Sequence, residues 1–186
     1  MALLLLCAPA PASAQVPMRE PEIEAAYLVN FLRYTQWPQQ SFVDARAPFV
    51  LTLICSEEDA SSVRAVTQAA GLVNGRPIEV HVMPARRGRE TALDAHDLEI
   101  LLSSHVVFFH KSAGSALEQQ LHSLSGQPVL TVSDLPGFTS RGGMLELVSS
   151  GGRVVFEANA AAIREAGLVV SAKVLKLART SAELPP

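Results

Sequence analysis

The alternation of apolar and polar residues along the chain predicts helices separated by short buried strands. The first helix is predicted over 20–37, where Pro21 and three early glutamates suit a helix start. Its apolar stripe is predicted from helical spacing to be Ile23, Ala26, Tyr27, Asn30, Phe31 and Tyr34. Asn30 is the polar member of the stripe, and it is more typical of a hydrogen-bonded core amide than of a ligand.

Strand formers dominate four further segments, of which three are continuously apolar and one alternates. These predicted strands are 49–55, 78–82, 106–109 and 129–132. Helices are predicted around them over 57–70, 93–102, 115–124, 160–166 and 171–180, and a polar loop over 86–89. Ser56 and Asn159 stand where they can cap the helices that follow them. A hairpin is predicted over 144–149 and 153–157.

Buried strands that alternate with helices predict an α/β fold. We expect a three-layer sandwich, with a largely parallel sheet, helices on both faces and an antiparallel edge hairpin. In such sheets, ligands bind outside the carboxyl ends of the strands. Three polar clusters are expected at that rim: Cys55-Ser56, His110-Lys111-Ser112 and Ser133-Asp134. No repeat or linker divides the chain, so residues 15–186 are predicted to form a single domain.

The stretch 131–143 leaves a buried strand and is rich in residues with defined backbone roles. Pro136 and Gly137 predict a turn, and a glycine pair ends the loop before the hairpin. Ser133, Asp134 and Arg141 are the candidate ligand contacts of this loop. For Ser133 and Asp134, turn hydrogen bonding is favoured over ligand contact.

Composition indicates a globular protein, and the N-terminal pattern indicates export. Of 186 residues, 48% are hydrophobic and 18% are charged, and the net charge of −3 gives no support for a nucleic-acid partner. Residues 1–14 are predicted to be a cleaved signal peptide, because an apolar core precedes the cleavage pattern Ala12-Ser13-Ala14. No other apolar run approaches the roughly 18 to 20 residues that span a bilayer, so we expect the mature chain to be soluble.

Cleavage would remove Cys7 and leave Cys55 as the single thiol. One thiol forms no internal disulfide, so no disulfide is predicted. Because Cys55 ends an apolar strand, a buried and inert thiol is favoured over a reactive or intermolecular one.

Motifs for catalysis or cofactor binding are missing from the sequence. It contains no nucleophile elbow, P-loop, dinucleotide fingerprint, C-x-x-C or H-E-x-x-H, so we expect no catalytic residues, cofactor or metal site. His105 and His110 flank one strand at an odd separation, which places them on opposite faces. A hydrophilic cluster is better interpreted as a solvated helix face than as a metal site: Asp94, His96, Asp97 and Glu99.

Three basic residues recur along one side of the predicted final helix: Lys173, Lys176 and Arg179. Its apolar face is predicted to hold Val170, Val174 and Leu177. Basic residues near a helix C-terminus complement the helix dipole. The functional alternative is a docking strip for an acidic partner.

Several segments together resemble the YfiR family. They are Ala25-Ala26-Tyr27-Leu28-Val29-Asn30-Phe31-Leu32-Arg33-Tyr34-Thr35-Gln36-Trp37-Pro38, Asn74-Gly75-Arg76-Pro77-Ile78, 106–109, Val129-Leu130-Thr131-Val132-Ser133-Asp134-Leu135-Pro136-Gly137-Phe138, Gly142-Gly143-Met144, Val155-Phe156-Glu157-Ala158-Asn159 and 166–179. The combination of V-S-D-x-P-G-F with G-G-M is the most specific of these. The resemblance spans nearly the whole mature chain.

This resemblance implies a small periplasmic α/β protein that is not an enzyme. Such proteins repress an inner-membrane diguanylate cyclase by binding its periplasmic domain, which lowers cyclic-di-GMP synthesis and biofilm formation. An outer-membrane lipoprotein can sequester the repressor, and homodimers occur in the family. Family members often carry a second cysteine before the strand that here begins at Val106, where this chain has Ser103-Ser104-His105. Redox control through that bridge is therefore expected to be absent.

Two other function classes stay open from the residues alone. One is a small-molecule-binding module that uses the rim around Ser133, Asp134 and Arg141. The other is a hydrolase of unrecognised type, against which the missing pair of nucleophile and base argues.

Overall fold

A computed structural model describes residues 18–85, 93–113, 116–150 and 153–179. The helices are α1 (Glu20–Tyr34), α2 (Glu57–Ala70), α3 (Ala95–Ser103), α4 (Leu117–Leu124), α5 (Ala160–Glu165) and α6 (Ala172–Leu175). The strands are β1 (Thr35–Gln36), β2 (Phe49–Ile54), β3 (Ile78–Met83), β4 (Val106–Phe109), β5 (Leu130–Ser133), β6 (Leu145–Ser150), β7 (Arg153–Ala158) and β8 (Val169–Val170). Short 3₁₀ helices cover Gln39–Ser41 and Thr139–Arg141.

Six strands form the central sheet in the order β3-β2-β4-β5-β6-β7. The first five are parallel, and β7 pairs antiparallel with β6 at one edge. This confirms the predicted, largely parallel sheet with an edge hairpin. A separate antiparallel pair, β1 with β8, joins the end of the first helix to the C-terminal part of the chain.

Two apolar clusters cover the two faces of the sheet. Val106 and Phe108 belong to the cluster that includes residues of α1, α2 and α5, whereas Val107 and Phe109 belong to the cluster with α3 and α4. Successive side chains of a strand point to opposite faces, so a continuous apolar run fills both clusters. The three-layer arrangement is therefore the predicted one.

Helix starts follow the predicted capping residues. Ser56 Oγ accepts a hydrogen bond from the Asp59 N–H at 3.1 Å, and Asn159 Oδ1 accepts one from the Ala162 N–H at 3.1 Å. Each bond satisfies an amide that has no partner within the helix.

The prediction for the first helix was wrong in its end and in its buried face. The helix ends at Tyr34 because Thr35–Gln36 extends to pair with β8, and because the residue before Pro38 disfavours helical backbone. The fully buried face is Glu24, Ala25, Leu28, Val29, Phe31 and Leu32. Asn30 and Tyr34 are exposed, so Asn30 is not a core amide.

The predicted long final helix was also wrong. Within the described residues, helix α6 covers only Ala172–Leu175. The chain then returns to the sheet, where the Arg179 N–H donates to the Phe156 carbonyl at 2.8 Å. Pairing with the open edge of β7 competes here with continuation of α6. Leu177 is therefore exposed to solvent and not part of an apolar helix face. The predicted signal peptide 1–14, the loop 86–89 and Thr180 lie outside the described residues.

Candidate functional site

The carboxyl ends of β2, β4 and β5 meet at one rim of the sheet. Because these strands are parallel and adjacent, the residues that follow them come together, as the sequence predicted. His110, which follows β4, lies between the residues that follow its two neighbours. Its Nδ1 is 3.5 Å from Asp59 Oδ2, and its Nε2 is 3.7 Å from Asp134 Oδ2.

Asp59 anchors a hydrogen-bonded network on the β2 side of the rim. Its carboxylate accepts from the Ser56 hydroxyl at 2.8 Å and from the Ser112 hydroxyl at 3.2 Å. The hydrogen bond from Ser56 is the main cause that lowers the pKa of Asp59, and His110 and Ser112 add to it. Ser112 Oγ also lies 2.8 Å from His110 Nδ1. The Ser112 hydroxyl therefore donates to Asp59 and also lies beside His110, which is unlike a serine that is paired with a single base.

Ser133 is fully used in the turn. Its buried hydroxyl donates to the Phe109 carbonyl at 2.6 Å and accepts from the Leu135 N–H at 2.9 Å. Both hydrogen bonds stabilise the turn in which β5 ends beside β4. They support the turn interpretation of Ser133.

Asp134 is placed differently from its neighbour. Its side chain is 6% exposed, and within the part of the chain that the structure describes neither carboxylate oxygen accepts a hydrogen bond. Its nearest cations are His110 and Lys111, whose Nζ is 3.9 Å from Oδ2. Burial raises the pKa of Asp134. The side chains of His110 and Lys111 oppose the shift, and so do the nearby backbone N–H groups of Asp134 and Lys111.

The loop after Asp134 is held by Glu146, a residue that the sequence did not single out. One Glu146 oxygen accepts from the Gly137 N–H at 2.9 Å, and the other accepts from the Thr139 N–H at 3.2 Å. At Gly143, an added Cβ would lie within 2.2 Å of the Phe138 ring, so this position requires glycine. The loop is therefore built mainly as a rigid turn into β6. No local pattern marks Glu146, because its closest partners are backbone N–H groups of the preceding loop.

Arg141 stands apart from Ser133 and Asp134. It is exposed at the end of a 3₁₀ helix, and its guanidinium donates to the Pro136 carbonyl at 3.4 Å. The structure therefore brings two of the three candidate loop residues to the rim, and it assigns the third to the outer surface of the loop.

A cavity of about 220 Å³ opens beside Asp134. It is lined by Glu20, Glu24, Lys111, Asp134, Pro136, Glu146, Leu147, Val148 and Ser149. Glu24 comes from helix α1 and is 6% exposed. Burial raises the pKa of Glu24 to about 7, and the charge of Asp134 adds to this shift. The sequence missed Glu24 because the predicted apolar stripe of the helix did not include it.

Metal-binding geometry is missing from the described residues: no three His, Cys, Asp or Glu side chains are close enough to hold one ion. Asp94, which belonged to the hydrophilic cluster 94–99, instead caps α3 by accepting from the Asp97 N–H at 2.8 Å.

A model of the YfiR/HmsC-like family (DUF4154) matches residues 21–179, which is most of the chain. The chain belongs to the YfiR/HmsC-like family. This confirms the resemblance found in the sequence. Membership in the YfiR/HmsC-like family supports a regulatory role in the periplasm in general terms. None of the helices in the described parts of the chain is long and apolar enough to cross a membrane.

A solved structure shares the fold of this YfiR/HmsC-like chain. It is the crystal structure of a conserved domain protein from Vibrio cholerae O1 biovar El Tor str. N16961, with a TM-score of 0.55 and 12% sequence identity. The similarity covers 86% of this chain and 59% of the other, so this chain spans less than two thirds of that protein. At this identity the likeness shows the fold alone.

Cys55 of this YfiR/HmsC-like protein is a free, buried thiol. Burial raises its pKa to about 12, and Asp59 and Glu57 add to the shift, which favours the inert interpretation. Ser104, in the segment where relatives often carry a second cysteine, is instead buried with its hydroxyl 2.7 Å from that of Thr52.

The three basic residues of the C-terminal segment do not share one helix face. Lys173 lies in α6, Lys176 follows its last turn, and Arg179 pairs with β7. Both lysines are exposed, whereas Arg179 is half-buried beside a cavity of about 390 Å³ that Glu157 and Thr139 also line. The predicted helical docking strip is therefore replaced by two exposed lysines and a separate arginine.

Proposed function

We propose that this protein is a non-enzymatic periplasmic regulator that binds the periplasmic domain of an inner-membrane diguanylate cyclase. Binding represses the cyclase and lowers cyclic-di-GMP signalling. An outer-membrane lipoprotein sequesters the repressor, and the repressor forms a homodimer. These partners are the ones that the family resemblance implies.

The observation that carries this proposal is the family match over residues 21–179. It extends from the second residue of α1 past the end of α6. The rim chemistry favours binding over catalysis, because the Ser112 hydroxyl is shared between Asp59 and His110, and Ser133 is used in a turn. A regulator of this kind needs a stable surface rather than a reactive group.

Deletion of the gene tests the cellular role. We expect cyclic-di-GMP and biofilm to rise in the deletion strain, and to return to their original levels when the chain is supplied with its export signal. Purified protein is expected to retain the periplasmic domain of the cyclase in a pull-down. Unchanged cyclic-di-GMP together with no retained cyclase would contradict the proposal.

The exposed lysines Lys173 and Lys176 are the candidate docking residues, with Arg179 beside them. Lys173→Glu with Lys176→Glu is expected to weaken cyclase binding at least tenfold, with no change in the unfolding midpoint, because neither side chain is buried. The matched control is Arg46→Glu with Arg153→Glu, which reverses two exposed charges elsewhere. Equal weakening by both pairs would indicate a general charge effect rather than a docking site.

A second candidate function is a periplasmic small-molecule-binding module without a cyclase partner. The cavity beside Asp134 favours it, because a buried carboxylate that nearby charges and backbone N–H groups satisfy only in part lies beside an open space. A thermal-shift screen against charged, neutral and apolar metabolites tests it. A ligand that binds only the folded state raises the melting temperature.

A further inference from the structure

Two buried carboxylates share the cavity between α1 and the loop after β5. Glu24 and the side chain of Asp134 are each 6% exposed, and they come from elements far apart in the sequence. A buried carboxylate is costly unless it is hydrogen-bonded or paired with a cation. For Asp134, no described residue donates a hydrogen bond of ordinary geometry to either oxygen. The nearby backbone N–H groups of Asp134 and Lys111 and the side chains of His110 and Lys111 offset its burial only in part. Its oxygens are therefore acceptors that the fold satisfies only weakly.

The charge of this cavity is one-sided. Four carboxylates line it, those of Glu20, Glu24, Asp134 and Glu146, and Lys111 is the single cation among the lining residues that the structure describes. Lys111 is 63% exposed, and its Nζ is 3.9 Å from Asp134 Oδ2, beyond hydrogen-bond distance. Lys111 therefore offsets the negative charge of the cavity only weakly, and its side chain is free to turn towards solvent.

Glu146 and Glu20 already have structural roles. Glu146 accepts from the loop amides, and Glu20 Oε1 accepts from the Ser149 hydroxyl at 2.6 Å. An anionic ligand would be repelled by the four carboxylates. A hard divalent cation would need about six to eight oxygen ligands. No metal-binding cluster is present among the described residues. A cation that needs only hydrogen-bond acceptors and negative charge fits this lining better than an anion or a metal ion does.

The cavity also has an apolar wall. Pro136, Leu147 and Val148 line it beside the carboxylates. A primary ammonium supplies three N–H donors and one positive charge, and a methylene stem suits the apolar wall. We propose that this cavity binds a small primary alkylamine, whose ammonium group lies between Glu24 and Asp134 and whose stem lies along Pro136, Leu147 and Val148. This inference rests on the second candidate function and sharpens it to one ligand class.

Titration calorimetry of the purified protein with 1,4-diaminobutane tests the proposal. The neutral control is 1,4-butanediol and the anionic control is succinate, which keep the four-carbon length. We expect binding of the diamine only. Binding of the diol or of succinate as tightly as the diamine would overturn the amine assignment and leave a binding module intact, whereas no binding by any metabolite in the screen would overturn both.

Variants then test the position of the amine. Asp134→Asn and Glu24→Gln are each expected to weaken diamine binding at least tenfold, because each removes one buried negative charge. Glu58→Gln, an exposed carboxylate on α2, is the matched control and is expected to leave the affinity unchanged. Full binding by both cavity variants would overturn the site.

Lys111→Gln gives an independent test that does not rely on a buried substitution. Loss of the opposing cation is expected to tighten diamine binding severalfold, a result that a merely structural lysine would not produce. An unchanged or weaker affinity would contradict the proposed position.

The pH dependence of binding adds a second readout. Glu24 faces Glu20, Lys111, Asp134 and Glu146 across the cavity, and His110 lies behind Asp134. Because the pKa of Glu24 is about 7, a cation must displace its proton near neutral pH. We expect the affinity to fall severalfold from pH 8 to pH 6, with proton release in buffers of different ionisation enthalpy. An affinity that rises over this range would contradict the role of Glu24.

Discussion

Each end of the parallel sheet holds one histidine, and the two lie in opposite surroundings. His105, at the amino end, is buried among aromatic rings, with its centroid 4.4 Å from that of Phe42 and 5.5 Å from that of Phe49. Its Nδ1 accepts a hydrogen bond from the Val50 N–H at 3.0 Å. His110, at the carboxyl end, lies between the carboxylates of Asp59 and Asp134. One end of the sheet is closed by packing, and the other is left polar beside a cavity.

This contrast also gives the two ends opposite responses to pH. Burial lowers the pKa of His105 to about 4, so the amino end favours neutral histidine. Burial raises the pKa of Glu24 to about 7, so the carboxyl end favours a protonated carboxyl. Acid therefore lowers the stability contribution of His105 at the amino end, and alkali lowers that of Glu24 at the carboxyl end. The amino end is therefore held by aromatic packing, whereas the carboxyl end carries titratable groups beside a cavity.

The largest expected effect comes from Phe49→Ala at the amino end. Phe49 is 3% exposed and contacts Trp37, Phe42 and His105, so truncation should lower the free energy of unfolding by about 3 to 5 kcal/mol. Urea denaturation measures this loss. Val43→Ala, at a position 96% exposed, should change stability by less than about 0.5 kcal/mol. A small loss for Phe49→Ala would contradict the structural role of this end.

Glu24→Gln should change how stability depends on pH at the carboxyl end. The pKa of Glu24 is raised from 4.5 to about 7 in the folded state, so its favourable contribution is present below pH 4.5 and is lost as pH rises through 7. Wild type should therefore lose about 2 to 3 kcal/mol relative to Glu24→Gln between pH 4.5 and pH 8. Urea denaturation at both pH values checks this, with Glu58→Gln as the exposed control. Parallel pH profiles for wild type and Glu24→Gln would refute the raised pKa.

His105→Asn should show the opposite dependence at the amino end. The pKa of His105 is lowered from 6.5 to about 4, so its contribution is present above pH 6.5 and is lost as pH falls through 4. Between pH 7 and pH 4.5, wild type should lose about 2 kcal/mol relative to His105→Asn. The measurement is the difference between the two pH profiles of unfolding. His122→Asn, at an exposed position, is the control and should follow wild type.

The smallest expected effect comes from Ser133→Ala at the rim. Loss of the hydroxyl leaves the Leu135 N–H and the Phe109 carbonyl each without one partner, which should cost about 1 to 2 kcal/mol. Diamine binding should stay within twofold of wild type, because Ser133 does not line the cavity. Ser61→Ala, on the exposed side of α2, controls for removal of a hydroxyl. Abolished binding with unchanged stability would make Ser133 a ligand contact instead.

Local sequence patterns predicted much of the fold. Ser56 and Asn159 were predicted as caps because a side-chain acceptor acts on an amide only two or three residues away. The runs at β2, β4 and β5 were predicted because a strand buried on both faces is apolar throughout. The parallel order then placed His110 and Asp134 at one rim before any distance was known.

Prediction was less successful where distant segments compete for the same residue. Thr35 and Arg179 have backbone partners more than twenty residues away, and these pairings ended helices that local periodicity extended. Glu24 was left out of the predicted apolar stripe of α1 because its carboxylate contradicts burial in any local pattern. At the cavity, Glu24 was missed, whereas Lys111 and Asp134 were predicted at the rim. Arg141 was a candidate contact of the same loop, and the structure places it on the exposed surface of that loop.

The sequence by itself determined the α/β class, the position of the six strands of the central sheet, the caps and the YfiR/HmsC-like family, because each depends on neighbouring residues or on their order. Tertiary structure alone decided that Glu24 and Asp134 share one cavity, that Ser133 is used in a turn, and that Lys173, Lys176 and Arg179 do not form a strip. The reason is physical: a capping bond or an apolar run acts within a few residues, whereas burial of a charge depends on which distant elements close over it.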